Sequence, residues 1–138
     1  MKKITIIGGG PAGYAAALYA NNFELEVTLV ESDVLGGTCL NRGCIPAKYW
    51  LHVAELNHEI NHAHEFGIEI NETNINWANT TNKRNEIVNK LVSGIGALLK
   101  SKKVNVVEGW GQVESKNVVV VKKENGEEER IASDYILI

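Results

Sequence analysis

Both cysteines of the chain lie close together, in the segment GGTCLNRGCIPAK from Gly36 to Lys48. Four residues separate Cys39 from Cys44, and a structural zinc site would need a second ligand pair, for which the chain has no further cysteine. The spacing also differs from the two residues of thioredoxin-type motifs. The pair can close a disulfide if Cys44 begins a helix and Cys39 lies one turn earlier in an extended loop. Because the N-terminus of a helix favours thiolate over thiol, the spacing indicates thiol–disulfide exchange. Two buried, unpaired cysteines are the alternative.

A glycine-rich turn is the second group of residues with a chemical meaning. Gly8, Gly10 and Gly13 fit the pattern G-x-G-x-x-G, directly after the apolar segment KITII and directly before an alanine-rich segment. In a dinucleotide-binding turn the three glycines permit a tight bend, close approach of the backbone to a pyrophosphate and close packing of helix on strand. The helix N-terminus offers free N–H groups to the phosphates.

Glu31 lies eighteen positions after Gly13, at the end of a second apolar segment. An acid at this place can accept hydrogen bonds from ribose hydroxyls. It also repels a 2′-phosphate, which argues against NADP as the ligand. The alternative is a glycine-rich turn without a ligand, followed by a glutamate that faces water.

Hydrophobic periodicity predicts the elements that position these groups. The segments Lys3–Ile7 and Leu25–Glu31 read as strands on either side of an alanine-rich helix, which is a βαβ unit of a parallel sheet. A long helix follows the cysteine motif and stops at Gly67, and a second runs from about Trp77 to Lys102. The first is expected to place four apolar side chains near one face: Leu51, Ala54, Leu56 and Ile60.

Short apolar runs in the last third of the chain predict short strands. Asn125-Gly126 lies between two alternating apolar runs and is a strong hairpin signal. The chain ends at Ile138, within the apolar run YILI, and since a buried strand needs a turn or a site after it, we expect the protein to continue. The predicted class is α/β, with a parallel sheet, two long helices and a small β-meander, in a truncated domain.

Composition narrows the class of function. A chain of 138 residues has the length of one domain, and its net charge of -3 argues against nucleic-acid binding. No stretch approaches a membrane span. The apolar run Ile4–Ile7 is also too short for a signal peptide, so the expected location is the cytoplasm, where close cysteine pairs tend to be catalytic or metal-binding. His58, His62 and His64 are interpreted as a solvated helix surface, so no metal site is expected.

The glycine turn GGGPAGYAAA, Glu31 and GGTCLNRGCIPAK together resemble the class I pyridine nucleotide-disulfide oxidoreductases, which are FAD-dependent disulfide reductases. Within that family CLNRGCIPAK is most similar to the dihydrolipoyl dehydrogenases, whereas glutathione and mercuric reductases usually read CVNVGCVPKK or CVNVGCVPSK. The likeness continues more loosely through EGWGQV and YILI. It implies a Rossmann-like FAD-binding domain, of which residues 1–138 would be the N-terminal part.

The resemblance also implies roles for single residues. The pyrophosphate of FAD would lie on the glycine turn, its adenosine ribose would bind Glu31, and further residues would line the cofactor toward the flavin. The residues implied for FAD binding are Gly8, Gly10, Gly13, Glu31, Gly36, Gly37, Thr38, Cys39, Lys48 and Gly111. Cys39 would be the interchange thiol that attacks or releases the lipoamide sulfur, and Cys44 the flavin-side thiol. Lys48, one helical turn after Cys44, would stabilise negative charge on the flavin, or be a plain surface lysine.

The chain departs from the family pattern at two positions. Ala47 stands where serine is common, which removes a hydroxyl but no ionisable group. Glu24 stands where glycine is usual, near the turn after the first helix. If that position is left-handed, glutamate there costs about 1–2 kcal/mol.

The activity implied by the resemblance is oxidation of dihydrolipoyl groups by NAD through FAD and the cysteine couple. The dihydrolipoyl group would belong to a 2-oxo acid dehydrogenase or glycine cleavage complex, and the full-length form would be a homodimer. The NAD-binding and dimerisation domains are absent from residues 1–138, so the isolated chain is not expected to turn over. Alternatives are another disulfide reductase of the class, glutathione- or mercuric-reductase-like, and a non-catalytic flavin-binding module.

Overall fold

The structure is a computed structural model that describes all 138 residues, and it confirms the α/β class. Seven strands and four α-helices follow one another along the chain. Two 3₁₀ turns, Asn21–Phe23 and Ala63–Phe66, extend the helices that precede them. In chain order the elements are β1 (Lys3–Ile7), α1 (Pro11–Ala20), β2 (Glu26–Glu31), α2 (Gly37–Asn41), α3 (Cys44–His62), α4 (Trp77–Ser101), β3 (Asn105–Glu108), β4 (Trp110–Ser115), β5 (Val118–Lys122), β6 (Glu128–Ala132) and β7 (Tyr135–Leu137).

A parallel sheet forms the middle layer, with the strand order β3-β2-β1-β7. In the register of β1 with β2, Ile6 lies opposite Leu29 and Ile7 lies opposite Val30. Because successive side chains of a strand point to opposite faces, the first pair faces one layer and the second pair faces the other. Both faces are covered, as the near-continuous apolar composition of these strands requires.

Helices cover one face of the sheet. Pro11 occupies the first helical turn of α1, where its missing N–H leaves no bond unmade. The small side chains of Ala17 and Ala20 are buried and let α1 lie close to the strands. Ile95 and Leu99 of α4 complete the same core.

The β-meander covers the other face of the sheet. Strands β4, β5 and β6 pair antiparallel in sequence order, and Gly126 of the predicted hairpin has a φ of 86°. Val119 and Val121 of β5 pack against Val30 and Val107 of the parallel sheet, in a second cluster of buried side chains. The result is a three-layer domain with its parallel sheet in the middle.

A buried polar contact fixes the last strand beside the first. The hydroxyls of Thr5 and Ser133 lie 2.5 Å apart, and both residues are buried. One residue further on, the carboxylate of Asp134 accepts a hydrogen bond from the backbone N–H of Lys3. These bonds hold the start of β7 against β1, so the carboxyl ends of both strands reach the same edge of the sheet.

The face expected on α3 is not a buried face. Leu51, Leu56 and Ile60 are 62%, 44% and 39% exposed, and the only buried residue of this helix is Pro46. The expectation was wrong because a helix turns by about 100° per residue, so Leu51 and Leu56 point about 140° apart.

Helix α4 begins and ends close to the predicted residues. The side chain of Asn76 accepts a hydrogen bond from the N–H of Asn79 at 3.0 Å, which caps the start of the helix. Three of its apolar residues are buried, namely Val88, Ile95 and Leu99. None of the four helices combines the length and the apolar composition needed to cross a bilayer.

Glu24 has the left-handed conformation that its position suggested, with a φ of 53°. Replacing it by glycine removes the clash of Cβ with the following carbonyl, so Glu24→Gly is expected to raise the free energy of unfolding by about 1 kcal/mol. Urea denaturation followed by circular dichroism measures the change. The matched control is Glu26→Gly in β2, which is expected to lower stability; a Glu24→Gly midpoint at or below that of the parent chain contradicts the prediction.

Candidate functional site

The glycine turn between β1 and α1 is as tight as its sequence predicts. The N–H of Gly8 donates to the carbonyl oxygen of Val30 at 2.8 Å, and Gly8 has a φ of 106°. A Cβ added to Gly13 would lie 1.7 Å from the carbonyl oxygen of Gly8, so no other residue fits there. A Cβ added to Gly10 would meet nothing within 4 Å. The turn is therefore closed toward the sheet at Gly13 and open to the outside at Gly10.

The open side of the turn is the N-terminus of α1. Gly10 is the N-cap residue, and no side chain caps the N–H groups of the first turn. Unpaired N–H groups at a helix N-terminus bind anions. A cleft of about 310 Å³ borders this turn at the carboxyl ends of β1 and β7; it is lined by Ile6, Ile7, Gly8, Gly10, Pro11, Ala12, Gly13, Leu137 and Ile138.

The Gly-Gly pair before the cysteines lies directly against the glycine turn. The N–H of Gly36 donates to the carbonyl oxygen of Gly9 at 2.8 Å. Gly36 and Gly37 have φ values of 94° and 56°, in the region that side chains disfavour. A Cβ on Gly37 would also lie 2.9 Å from the Cα of Gly10. Two separate stretches of backbone therefore touch here because both consist of glycine.

Glu31 joins the same two stretches through its carboxylate. One carboxylate oxygen accepts the N–H of Gly9 at 2.6 Å, and the other accepts the N–H of Asp33 at 2.8 Å. The side chain is thus fixed by the protein, in contrast to the alternative of a glutamate that only faces water. Since a carboxylate has about four lone-pair sites, two remain for a ligand.

Cys39 and Cys44 form a disulfide, with their Cα atoms 4.7 Å apart. Cys44 is the first residue of α3, as predicted. The expectation that Cys39 lies in an extended loop was wrong, because it lies in the short helix α2, where the N–H of Arg42 donates to the carbonyl oxygen of Thr38. The left-handed Gly36 and Gly37 turn the chain so sharply that a helical turn fits between them and α3.

Two side chains between the cysteines fasten the disulfide loop to the preceding turn. The amide of Asn41 donates to the carbonyl oxygens of Leu35 and Gly37, at 3.1 and 2.9 Å. The guanidinium of Arg42 forms an ion pair with the carboxylate of Asp33. The hydrogen bond and charge of Asp33 raise the pKa of Arg42 above its ordinary value.

The disulfide loop begins beside a dinucleotide-type glycine turn, and comparison with known proteins shows which family has this sequence. Residues 2–138 match the family model described as pyridine nucleotide-disulphide oxidoreductase. The chain belongs to this family.

Named relatives of this family member cover nearly its whole length. It is 41% identical over 137 residues to a dihydrolipoyl dehydrogenase of Bacillus subtilis, covering 98% of the chain, and 39% identical over 139 residues to one of Pseudomonas aeruginosa, covering 99%. The crystal structure of LpdA from Mycobacterium tuberculosis superposes with a TM-score of 0.88 over 99% of the chain, at 26% identity. The chain spans 30% of the length of those two relatives and 31% of the crystallised chain.

Three more of the predicted site residues lie in different parts of the structure. Lys48 is exposed on α3, one turn after Cys44, and Thr38 is exposed on α2. Gly111 lies between the two sheets, since a Cβ there would be 3.1 Å from side-chain atoms of Ile7 and Val30. The structure thus gives Gly111 a packing reason for lacking a side chain.

Four site residues were missed by reasoning from the sequence, namely Gly9, Asp33, Asn41 and Arg42. Gly9 is enclosed, because its Cβ would lie 3.0 Å from both Glu31 and Leu35. The position of Arg42 between the two cysteines was a signal that could have identified it. Nothing in the sequence separates Asp33 from an ordinary surface acid.

The histidines and tryptophans outside this site form surface clusters. The rings of His58 and His62 are 4.1 Å apart, and no group of three or more potential metal ligands is present. Trp50 lies 5.9 Å from Trp77 and 5.6 Å from the guanidinium of Arg84, measured to ring centroids.

The clash at Gly13 generates a stability prediction for this family member. Gly13→Ala forces Cβ against the carbonyl oxygen of Gly8, and we expect it to lower the free energy of unfolding by at least about 2 kcal/mol. The matched control is Gly94→Ala on α4, where an added Cβ meets nothing within 4 Å and helix propensity predicts a gain of about 0.5–1 kcal/mol. Chemical denaturation compares the two variants; equal stabilities would contradict the assigned geometry.

Proposed function

We propose that residues 1–138 are part of the FAD-binding domain of a dihydrolipoyl dehydrogenase, working in the cytoplasm. The observation that carries the proposal is the Cys39–Cys44 disulfide, held against a dinucleotide-type glycine turn. Membership of the pyridine nucleotide-disulphide oxidoreductase family and the dihydrolipoyl dehydrogenases among its relatives support it.

The glycine turn fits the pyrophosphate of FAD. The space beside Gly10 is open, the N–H groups of the first turn of α1 are uncapped, and Glu31 retains acceptor sites for ribose hydroxyls. Gly36, Gly37 and Thr38 would follow the cofactor toward the disulfide. When bound, FAD supplies the two-electron exchange between the dithiol and a nicotinamide nucleotide.

The cysteine pair carries the thiol–disulfide exchange in the proposed reaction. A substrate thiolate attacks the Sγ of Cys39, which forms a mixed disulfide and releases Cys44 as a thiolate. The second substrate thiolate then attacks the substrate sulfur of the mixed disulfide, so that the oxidised cyclic disulfide leaves and Cys39 is released as a thiolate. Two electrons have moved from the dihydrolipoyl group to the cysteines, and the two protons of the substrate thiols go to solvent or to the protein thiolates.

The position of Cys44 at the start of α3 suits its role as leaving group. The partial positive charge of a helix N-terminus stabilises a thiolate there, and a leaving thiolate of lower pKa departs faster. Lys48 would add a second positive charge one turn along the same helix face.

The rest of the proposed enzyme lies outside this chain. NAD as the electron acceptor, a homodimer, and a lipoyl-bearing 2-oxo acid dehydrogenase or glycine cleavage complex as partner are supported only by the names of the relatives. Because the chain spans about 30% of those relatives, we propose that it does not turn over by itself.

Flavin retention tests the cofactor assignment in the protein that carries this chain with its remaining domains. Gly10→Ala leaves packing unchanged, since its Cβ meets no protein atom, but places a methyl group where the pyrophosphate would lie. We expect at least about a tenfold loss of FAD affinity, which corresponds to about 1.4 kcal/mol. Flavin absorbance per polypeptide measures it, with Gly94→Ala as the control. Full flavin content in Gly10→Ala would place the cofactor elsewhere.

Substrate choice tests the proposed reaction in the same protein. We expect oxidation of dihydrolipoamide by NAD to be at least about a hundredfold faster than reduction of glutathione disulfide or mercuric ion with NADH or NADPH as the electron donor. Cys39→Ser and Cys44→Ser should each abolish it, because either change removes the disulfide. Preference for glutathione disulfide or mercuric ion would support the other reductases, and full activity in either serine variant would support a non-catalytic flavin module.

A further inference from the structure

A continuous chain of contacts leads from the glycine turn to the disulfide loop. Its first link is the hydrogen bond from the N–H of Gly9 to Glu31, at 2.6 Å. Gly9 is buried and Glu31 is half-buried, so this charge-assisted bond is shielded from water. The carboxylate of Glu31 holds the N–H of Gly9, while the N–H of Gly36 holds the carbonyl oxygen of Gly9.

The second link is the bond from the N–H of Asp33 to the other oxygen of the same carboxylate, at 2.8 Å. This bond fixes the backbone of Asp33 two residues after the end of β2. The side chain of Asp33 is thereby positioned to form an ion pair with a cationic side chain of the cysteine loop.

Arg42 supplies that cation from inside the ring that the disulfide closes. It lies two residues before Cys44, and its guanidinium pairs with the carboxylate of Asp33. The two side chains are 61% and 52% exposed, and such pairs contribute little to global stability. The pair can be removed without unfolding the protein, so its effect on position is open to measurement.

The bonds of Asn41 follow a different route. They fasten the cysteine loop to the carbonyl oxygens of Leu35 and Gly37, and neither bond reaches Glu31. Among the side chains between the cysteines, only Arg42 connects the disulfide to the carboxylate that holds Gly9.

We propose that Asp33 and Arg42 are positioning residues, through which the disulfide holds the dinucleotide turn in its binding conformation. Reduction of Cys39–Cys44 frees the ring that carries Arg42, loosens its pairing with Asp33 and so loosens the bond of Gly9. Occupancy of the glycine turn and the redox state of the cysteines are thereby coupled. The inference rests on the proposed function only in taking this turn as the dinucleotide site.

Hydrogen exchange of the Gly9 amide tests the coupling in the ligand-free 138-residue chain. NMR compares the oxidised chain with the chain after reduction by dithiothreitol. In that reaction the two cysteines become thiols and dithiothreitol is oxidised to its cyclic disulfide. We expect reduction, R42M and D33N each to speed exchange at Gly9 at least about fivefold. Because all three changes act through the same contacts, reducing the disulfide of R42M should speed exchange at Gly9 little further. R42K, which keeps the charge, should stay within about twofold of the parent chain.

Two controls separate this effect from general destabilisation. Exchange of the Val120 amide, in β5 on the other layer, should not change in R42M or D33N, and the effect of reduction at Gly9 is measured relative to its effect at Val120. R130M removes another exposed arginine–carboxylate pair, that of Arg130 with Glu114, and should leave Gly9 unaffected. Exchange at Gly9 within about twofold of the parent in R42M, or unchanged on reduction, overturns the proposal.

A second measurement tests the dinucleotide site independently of the coupling. Isothermal titration with ADP is expected to show at least about fivefold tighter binding to the oxidised than to the reduced chain, and R42M should abolish the difference. Failure of ADP to bind either form would count against the dinucleotide site itself, while the exchange rates at Gly9 would still decide whether the disulfide holds the turn.

Discussion

The close approach of two glycine-rich turns is the constraint on which the rest of this site depends. The N–H of Gly36 donates to the carbonyl oxygen of Gly9, and Gly37 lies so close to Gly10 that position 37 has no room for a side chain. The contact places the start of the disulfide loop beside the N-terminus of α1 without any large apolar core between them. Backbone hydrogen bonding joins the two glycine stretches, and the buried side chain of Leu40 anchors α2 in the apolar core.

The three-layer fold makes this contact possible by bringing strand ends to one edge. Parallel pairing of β1 with β2 and β7 puts their carboxyl ends together, and in open α/β sheets that edge is where ligands bind. The buried Thr5–Ser133 contact fixes β7 in this register, while Gly111 lets the meander lie close to the far face of the sheet. Elements distant in sequence thus determine the shape of the cleft beside the glycine turn.

The charged groups near the disulfide differ in burial and in the number of hydrogen bonds that they make. Glu31 is half-buried and accepts one backbone N–H on each carboxylate oxygen, whereas the Asp33–Arg42 pair is exposed and Lys48 is exposed on the helix surface. In water-exposed positions such charges add little to stability, so their value lies in where they hold the chain and in the chemistry at the sulfur atoms.

The sequence by itself determined the α/β class, the two glycine turns, the Cys39–Cys44 couple and the start of α3 at Cys44, because these depend on local spacing and on the conformations that glycine permits. Helix α2 escaped it, since a short helix between two left-handed glycines and α3 depends on neighbours distant in sequence. The apolar face expected on α3 was wrong for a local reason, because helix geometry itself separates Leu51 from Leu56. Only the tertiary structure decided that Gly9, Asp33 and Arg42 belong to the site. Gly9 bonds to Glu31 and Arg42 pairs with Asp33 over separations of at least nine positions, and although the place of Arg42 between the cysteines marks it, no local pattern encodes its partner.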